Sequence, residues 1–257
     1  RIIRMNFFFL IKNNFINSYL KIPIFQNSGI INKNLKLFSA KPLLNKWKLE
    51  KLNIKPINDF FFIDSKDFSD EVIFFLAQDE DLKNYSNLNS KFFETFKFTD
   101  TSPAYRANLS IDYKKNGFSS YQSEYPFHMI KNKGSVLTPL SALLSKDADE
   151  NYLLFKNINI SPKQEIFNIY IIDIENFEII KKIACKTNST NVVKVDFELI
   201  NENYFFYSNE YLGLPIYVSI KNKHLSLEHT QPPQLYFLNQ TKILLKDLKS
   251  KIYDKNF

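Results

Sequence analysis

Residues 179–197 read Ile179-Ile180-Lys181-Lys182-Ile183-Ala184-Cys185-Lys186-Thr187-Asn188-Ser189-Thr190-Asn191-Val192-Val193-Lys194-Val195-Asp196-Phe197. A short apolar run ends at Cys185, a turn signal follows at Asn188–Thr190, and then Val193, Val195 and Phe197 alternate with Lys194 and Asp196. Period-two alternation places successive side chains on opposite faces of a strand, so the stretch predicts two strands and the turn between them. Outward from it the same grammar repeats. Tyr152–Ile158, Ile166–Ile174, Glu178–Cys185, Asn191–Phe197, Tyr204–Ser208, Ile216–Ile220 and Leu225–His229 are short extended runs. Turn signals separate them, among them Pro162, Glu175-Asn176, Leu212-Gly213 and Lys221-Asn222-Lys223. Short strands with no helical period between them predict an antiparallel β-sandwich, immunoglobulin-like or jelly-roll-like.

On the N-terminal side, Ala107, Leu109 and Ile111 share one strand face before a turn at Lys115-Asn116-Gly117, and Phe118–Ile130 is a long extended stretch. Val72–Ala77 reads as a buried strand, and Gln78–Ser90 opens with Asp79-Glu80-Asp81, as the first turn of a short helix does. Thr241–Tyr253 carries Leu244, Leu248 and Ile252 at helical spacing and predicts a C-terminal helix. Residues 1–58 show no sustained period and are expected to form a poorly ordered basic arm, with Trp47 as its anchor. The expected organisation is therefore an arm (1–58), a strand and helix transition segment (59–102), a sandwich body (103–235) and a terminal helix (236–257). In architecture, Glu150–Pro233 resembles the immunoglobulin-like accessory sandwiches of bacterial proteins, modules that bind or space.

The composition says where chemistry would sit. Only 3 of the 34 basic residues are arginine, and Arg106 alone lies beyond position 4. Lys, Asn, Ile and Phe dominate, as in a chain whose coding is pushed toward A+T. Gly, Ala, Arg and Pro resist that push; ten of the 24 fall between Pro103 and Asp149, where an even spread puts about four. Small size, fixed φ or a planar guanidinium is expected to be needed there. With 4 Gly, neither G-x-G-x-x-G nor G-x-x-x-x-G-K-[ST] occurs, so glycine-rich phosphate loops are excluded and no cofactor is expected. The net charge is +7, but Pro103–Leu235 is balanced with 14 charges of each sign, so the body offers no basic face to nucleic acid. The single Cys185 excludes an intramolecular disulfide and fits a reducing compartment. A cytoplasmic location is expected, with an organelle as the alternative if residues 1–45 are a transit segment. No run approaches the roughly 18 apolar residues of a membrane span.

Candidate ligand-binding residues follow from these patterns. Arg106 lies in Pro103-Ala104-Tyr105-Arg106-Ala107-Asn108, where its fork suits a carboxylate or phosphate, either of a ligand or internal at Glu124 or Asp147. In Phe118–Ile130 the only formal charge is Glu124; Gln122, Glu124 and His128 share one strand face, Tyr121 and Tyr125 the other. The stretch reads as an aromatic and polar groove for a sugar or other polar ligand, or as a half-buried strand satisfying its own polar groups. His224, Glu228 and His229 split between the two faces of a strand, so they do not converge on a metal, and none is expected. Asn108, Glu228 and His229 complete the candidates. Two functions remain: a non-enzymatic sandwich binding a polar small molecule, a glycan or a protein partner; or a small hydrolase or sugar-modifying enzyme. The latter would use Glu124 with His128 or His229 as acid and base and Arg106 as anion clamp.

Overall fold

The computed structural model describes residues 6–24, 30–83, 88–89, 92–95, 107–113, 117–122, 136–208, 210, 212–213, 215–229, 247 and 250–251. Over these residues the chain is mainly β, with four antiparallel sheets and few helical turns. The first half supplies β1 (Phe7–Phe9), β2 (Ile16–Pro23), β3 (Lys36–Leu43), β4 (Lys46–Lys51), β5 (Phe60–Asp64), β6 (Ile73–Ala77), β7 (Leu88–Asn89), β8 (Asn108–Tyr113) and β9 (Gly117–Gln122). They form sheet 1, in the order β1-β6-β3-β4-β7, and sheet 2, in the order β5-β2-β8-β9. The second half supplies β10 (Val136–Pro139), β11 (Glu150–Asn157), β12 (Ile166–Asp173), β13 (Glu178–Lys186), β14 (Ser189–Lys194), β15 (Tyr204–Ser208), β16 (Ile216–Lys221) and β17 (His224–His229). Of these, β14-β11-β16-β17 make sheet 3 and β10-β15-β12-β13 make sheet 4.

The turn after Cys185 does more than reverse the chain. β13 belongs to sheet 4 and β14 to sheet 3, so Thr187-Asn188 carries the chain from one sheet to the other, with Asn188 at φ 52°. Asparagine tolerates this left-handed region better than most residues. β14 ends at Lys194, short of the expected Phe197: Val195 instead donates its N–H to Asn151 O, and Phe197 opens a single 3-10 turn. The central strands of sheet 3, β11 and β16, are covered on both faces. Leu154, Ile216 and Val218 join the first core with residues of sheets 1 and 2, whereas Leu153, Phe155, Val193 and Tyr217 join the second core with sheet 4. Neighbouring residues of one strand thus serve different cores, as in sheets sandwiched between layers.

The expected N-terminal arm is corrected. β1 to β4 all fall within residues 1–58, and Phe7, Leu20, Ile22, Leu37, Trp47 and Leu49 are buried members of the first core. Their pattern escapes a periodicity reading for two reasons. In β2 the inward positions are Ile16, Ser18, Leu20 and Ile22, and the buried Ser18 interrupts the apolar alternation. Its hydroxyl donates to Ile11 O at 2.6 Å and accepts the Ile11 N–H at 2.9 Å, which satisfies both groups inside the core. In β3, a central strand, Leu37 to Ala40 are all buried, so no alternation exists to be seen. A short helix, α1 (Phe92–Thr95), adds Phe92 and Phe93 to an aromatic cluster, with Phe93 against Phe7 at 4.9 Å and against Trp47 at 4.8 Å between ring centroids. Of the expected C-terminal helix, positions 247, 250 and 251 are described and helical; Lys251 pairs with Asp247 and lies over the Phe177 ring.

A polar seam joins the two halves. The loop before β6 presents its carbonyls to the second half: Lys156 Nζ donates to Asp70 O at 2.7 Å and to Val72 O, and Thr190 Oγ1 donates to Asp70 O at 3.1 Å. Glu71 in the same loop meets Lys41 at 3.3 Å, Gln164 Nε2 at 3.3 Å and Lys186 at 3.9 Å. Lys156 is 1% exposed, and burial pushes its ammonium down to about 7 against the opposing pull of Asp70 and Glu71. Trp47 Nε1 donates across the same junction to Ile160 O at 3.3 Å.

Candidate functional site

Sheet 2 leaves one face to solvent, and that face is where exposed aromatic and polar side chains gather. Alternation in β2, β5 and β8 sends Leu20, Ile22, Phe61, Ile63, Leu109 and Ile111 into the core. The opposite parity must then point outward. Backbone register aligns it into two rows across the strands. One row runs Phe62, Lys21, Asn108, Gln122; the next runs Asp64, Tyr19, Ser110, Ser120. Tyr19, Lys21, Phe62, Asp64, Asn108 and Ser110, with Asp67 beyond the end of β5, line an open cleft of about 480 Å³.

Two large aromatics are solvent-facing here, Phe62 at 49% and Tyr19 at 38% exposure. Each has a lysine at its side. Lys21 Nζ sits 4.1 Å from the Phe60 ring centroid and 5.7 Å from that of Phe62; Lys66 Nζ lies 5.8 Å from that of Tyr19. These are cation–π distances, and they fix the rings on an otherwise open surface. A hydrogen bond with Tyr19, then the charge of Asp64, raise the Lys66 ammonium above its usual value. Asp64 accepts the Lys66 backbone N–H at 2.9 Å and so starts the 3-10 turn that delivers Asp67 to the rim. Ser110 Oγ donates to Asn108 Oδ1 at 3.0 Å, which leaves the Asn108 amide NH₂ to face outward. Lys21 stands against Asp64 and Asp67 in the lining, with Lys66 beside Asp64 at 3.7 Å, so the cleft has no positive excess. Such a surface can stack an apolar ring face and exchange several hydrogen bonds, but it does not attract a polyanion.

The candidates read from sequence are placed as follows. Asn108 lies in the cleft, and Gln122 occupies the register position beside it. Tyr121 is paired with the buried Leu109, in the other register row. Glu228 is exposed on β17, where it pairs with Tyr217, and His229 pairs with Ile216. β17 runs alongside β9, so the strand bearing Glu228 and His229 neighbours the one bearing Tyr121 and Gln122. Arg106, Glu124, Tyr125 and His128 lie outside the described residues. Tyr19, Lys21, Phe62 and Asp64 were missed because the segment that holds them was read as an arm and its junction. The available signal was an outward aromatic at Tyr19 between the inward Leu20 and Ser18.

Other titratable groups have structural partners. Glu150 accepts from the Tyr113 hydroxyl at 2.9 Å and from the Tyr152 hydroxyl; burial, then Glu150, raise the Tyr152 hydroxyl above its usual value. Asp149 accepts the Asn222 N–H at 2.7 Å and ties the β16–β17 turn to β11. Cys185 is buried in the second core, and burial pushes its thiol up to about 12, out of reach of nucleophilic chemistry near neutrality. Among the described residues no three His, Cys, Asp or Glu side chains gather where they could hold a metal ion, and no helix is long and apolar enough to cross a membrane. No family model matches this chain, and neither a curated protein nor a solved structure matches it.

Proposed function

We propose that this protein is a non-enzymatic binding protein that holds an uncharged polar ligand, of the carbohydrate class, on the outer face of sheet 2. The observation that carries the reading is the pair of solvent-facing rings, Tyr19 and Phe62, set among Lys21, Asp64, Asn108 and Ser110 in an open cleft with no positive excess. A pyranose has one face of C–H groups that packs on an aromatic ring and a rim of hydroxyls that needs donors and acceptors together. The cleft supplies both. It is open and shallow, so dissociation constants on the order of 0.1–1 mM for a short oligosaccharide are expected. A reducing cytoplasmic setting suits a chain whose one thiol is buried.

The proposal takes the scaffold as a β-sandwich. Supporting this, β11-β14 on one sheet and β15-β12-β13 on the other follow the order of the B-E and F-C-C′ strands of immunoglobulin domains. The ends differ: β10 lies beside β15, where the last strand of that fold would be, and β16 lies beside β11, where the first would be. The proposal keeps the expected C-terminal helix over 241–253, of which the described positions 247, 250 and 251 are helical.

Titration calorimetry against a panel of neutral oligosaccharides tests the reading. Binding is expected for some members and a loss of at least about tenfold in Tyr19→Ala or Phe62→Ala, the effect of removing one stacked ring. No binding to any member, or equal binding by parent and both variants, would remove its basis. The adjacency of β9 and β17 favours a second reading, in which Glu124 with His128 or His229, and Arg106, make a sugar-cleaving site. Release of reducing ends that is abolished in Glu124→Gln would establish it.

A further inference from the structure

The tip of the β3–β4 hairpin combines three features that each cost stability. Leu43 pairs with Lys46, so the loop has only two residues, Leu44 and Asn45. Leu44 has φ 56° and Asn45 is not among the positive-φ residues, a pattern that takes glycine at its first position. A γ-branched side chain there is strained. That side chain is also 86% exposed, and Leu43 beside it is 46% exposed. Third, Lys41 and Lys48 stand directly opposite each other, and like charges in register repel. Glycine scarcity explains a replacement at Leu44, but most of the other positive-φ turn positions are Asn or Asp, as at Asn58, Asp59, Asn188 and Asn222, with Phe177 and Lys223 the exceptions. Leucine in this turn, inside a collar of Lys41, Lys46 and Lys48, is a different choice.

We propose that this hairpin docks on an anionic lipid surface, with Leu43 and Leu44 entering the acyl boundary and the lysine collar resting among acidic headgroups. Charge complementarity selects this occupant. From Lys36 to Lys51 the hairpin contains five lysines and one acid, Glu50, which meets Lys48 at 3.4 Å, a balance of +4. A protruding tip of consecutive leucines suits a fluid interface; a protein partner would need a pocket to receive it. Interfacial binding of this type adds buried apolar area to headgroup attraction. The flank is continued by the second half: Glu71 links Lys41 to Lys186, whose strand partner Ile166 is 78% exposed. The docking surface is separate from the sheet 2 cleft and does not depend on it.

Vesicle flotation with the full chain tests the proposal, using phosphatidylcholine alone and phosphatidylcholine mixed with phosphatidylserine. Binding is expected to the mixed vesicles, weakened by salt, with little to phosphatidylcholine. Leu44→Asn suits the positive φ and keeps the fold; it should reduce partitioning about tenfold, the effect of withholding one leucine side chain from hydrocarbon. Lys46→Gln with Lys48→Gln should also reduce it and flatten the salt dependence. A second readout avoids any question of folding. Leu44→Cys can be labelled selectively with a polarity-sensitive dye, because Cys185 is buried, and the emission should shift to the blue with mixed vesicles. Absence of binding, binding unchanged in Leu44→Asn, or a dye that stays in water would each overturn it.

Discussion

The central strands of sheet 3, β11 and β16, are covered on both faces, whereas sheet 2 is covered on one. In β11 every residue from Asn151 to Asn157 is buried, and successive side chains enter different cores. In β2 the outward parity, Tyr19 and Lys21, meets solvent and the cleft. The contrast separates two duties. A strand covered on both faces, as β11 is, has almost no position that can change without disturbing a core, so it can hold the molecule together but cannot adapt to a ligand. A singly covered sheet has a free parity, and binding chemistry can be written there at little cost to the fold.

The largest test removes part of what covers sheet 3. Deleting residues 1–45 takes away β1, β2 and β3, and with them Phe7, Leu20, Ile22 and Leu37 from the first core. The expected outcome, followed by circular dichroism on heating, is loss of the cooperative transition; a sharp transition would mean that sheets 3 and 4 stand alone. Next in size, Phe155→Ala in sheet 3 should cost about 3–5 kcal/mol in urea unfolding, the range for a buried ring in a core that cannot collapse. Tyr19→Ala and Phe62→Ala on the open parity of sheet 2 should change stability by no more than about 0.5 kcal/mol while binding falls. If these losses match that of Phe155→Ala, the division of duties is wrong.

Between those extremes lies the seam. Lys156 titrates near 7 when folded and at its ordinary value near 10.5 when unfolded. Between those values the unfolded chain holds a proton that the folded chain does not, so stability should rise with pH across that window and level off below it. The rise attributable to Lys156 between pH 7 and pH 10 is roughly 3 kcal/mol. It is measured as the difference between parent and Lys156→Met in urea unfolding at each pH. Parallel pH profiles for the two proteins would show that the ammonium is not the group responsible.

Much of the second half was legible in advance because its strands are short and bounded by turns that only a few residues can make. Tyr204–Ser208 coincides with β15, and Ile216–Ile220 and Leu225–His229 come within one residue of β16 and β17. β14 ended early because a cross-link to Asn151 O replaced the ladder, which no local pattern announces. The first half hid its strands behind Ser18, a polar residue whose partners are seven residues away, and behind β3, buried on both sides. At the candidate cleft, Asn108, which lines it, was singled out through its place among scarce small residues. Phe62 was not, since in Phe60-Phe61-Phe62 only the fold decides which ring faces outward.

The shared core also governs how this chain can be made. Sheets 1 and 2 close over a floor of Tyr152, Leu154, Ile216 and Val218, and that floor is finished only when β16 has been synthesised. Until then the first core lacks the full set of those four side chains, although Phe7, Phe75 and Trp47 already have Phe92 and Phe93 against them. The N-terminal half cannot mature on the ribosome as an independent unit in the way that domains folding one after another do. The first core is therefore complete only late in synthesis.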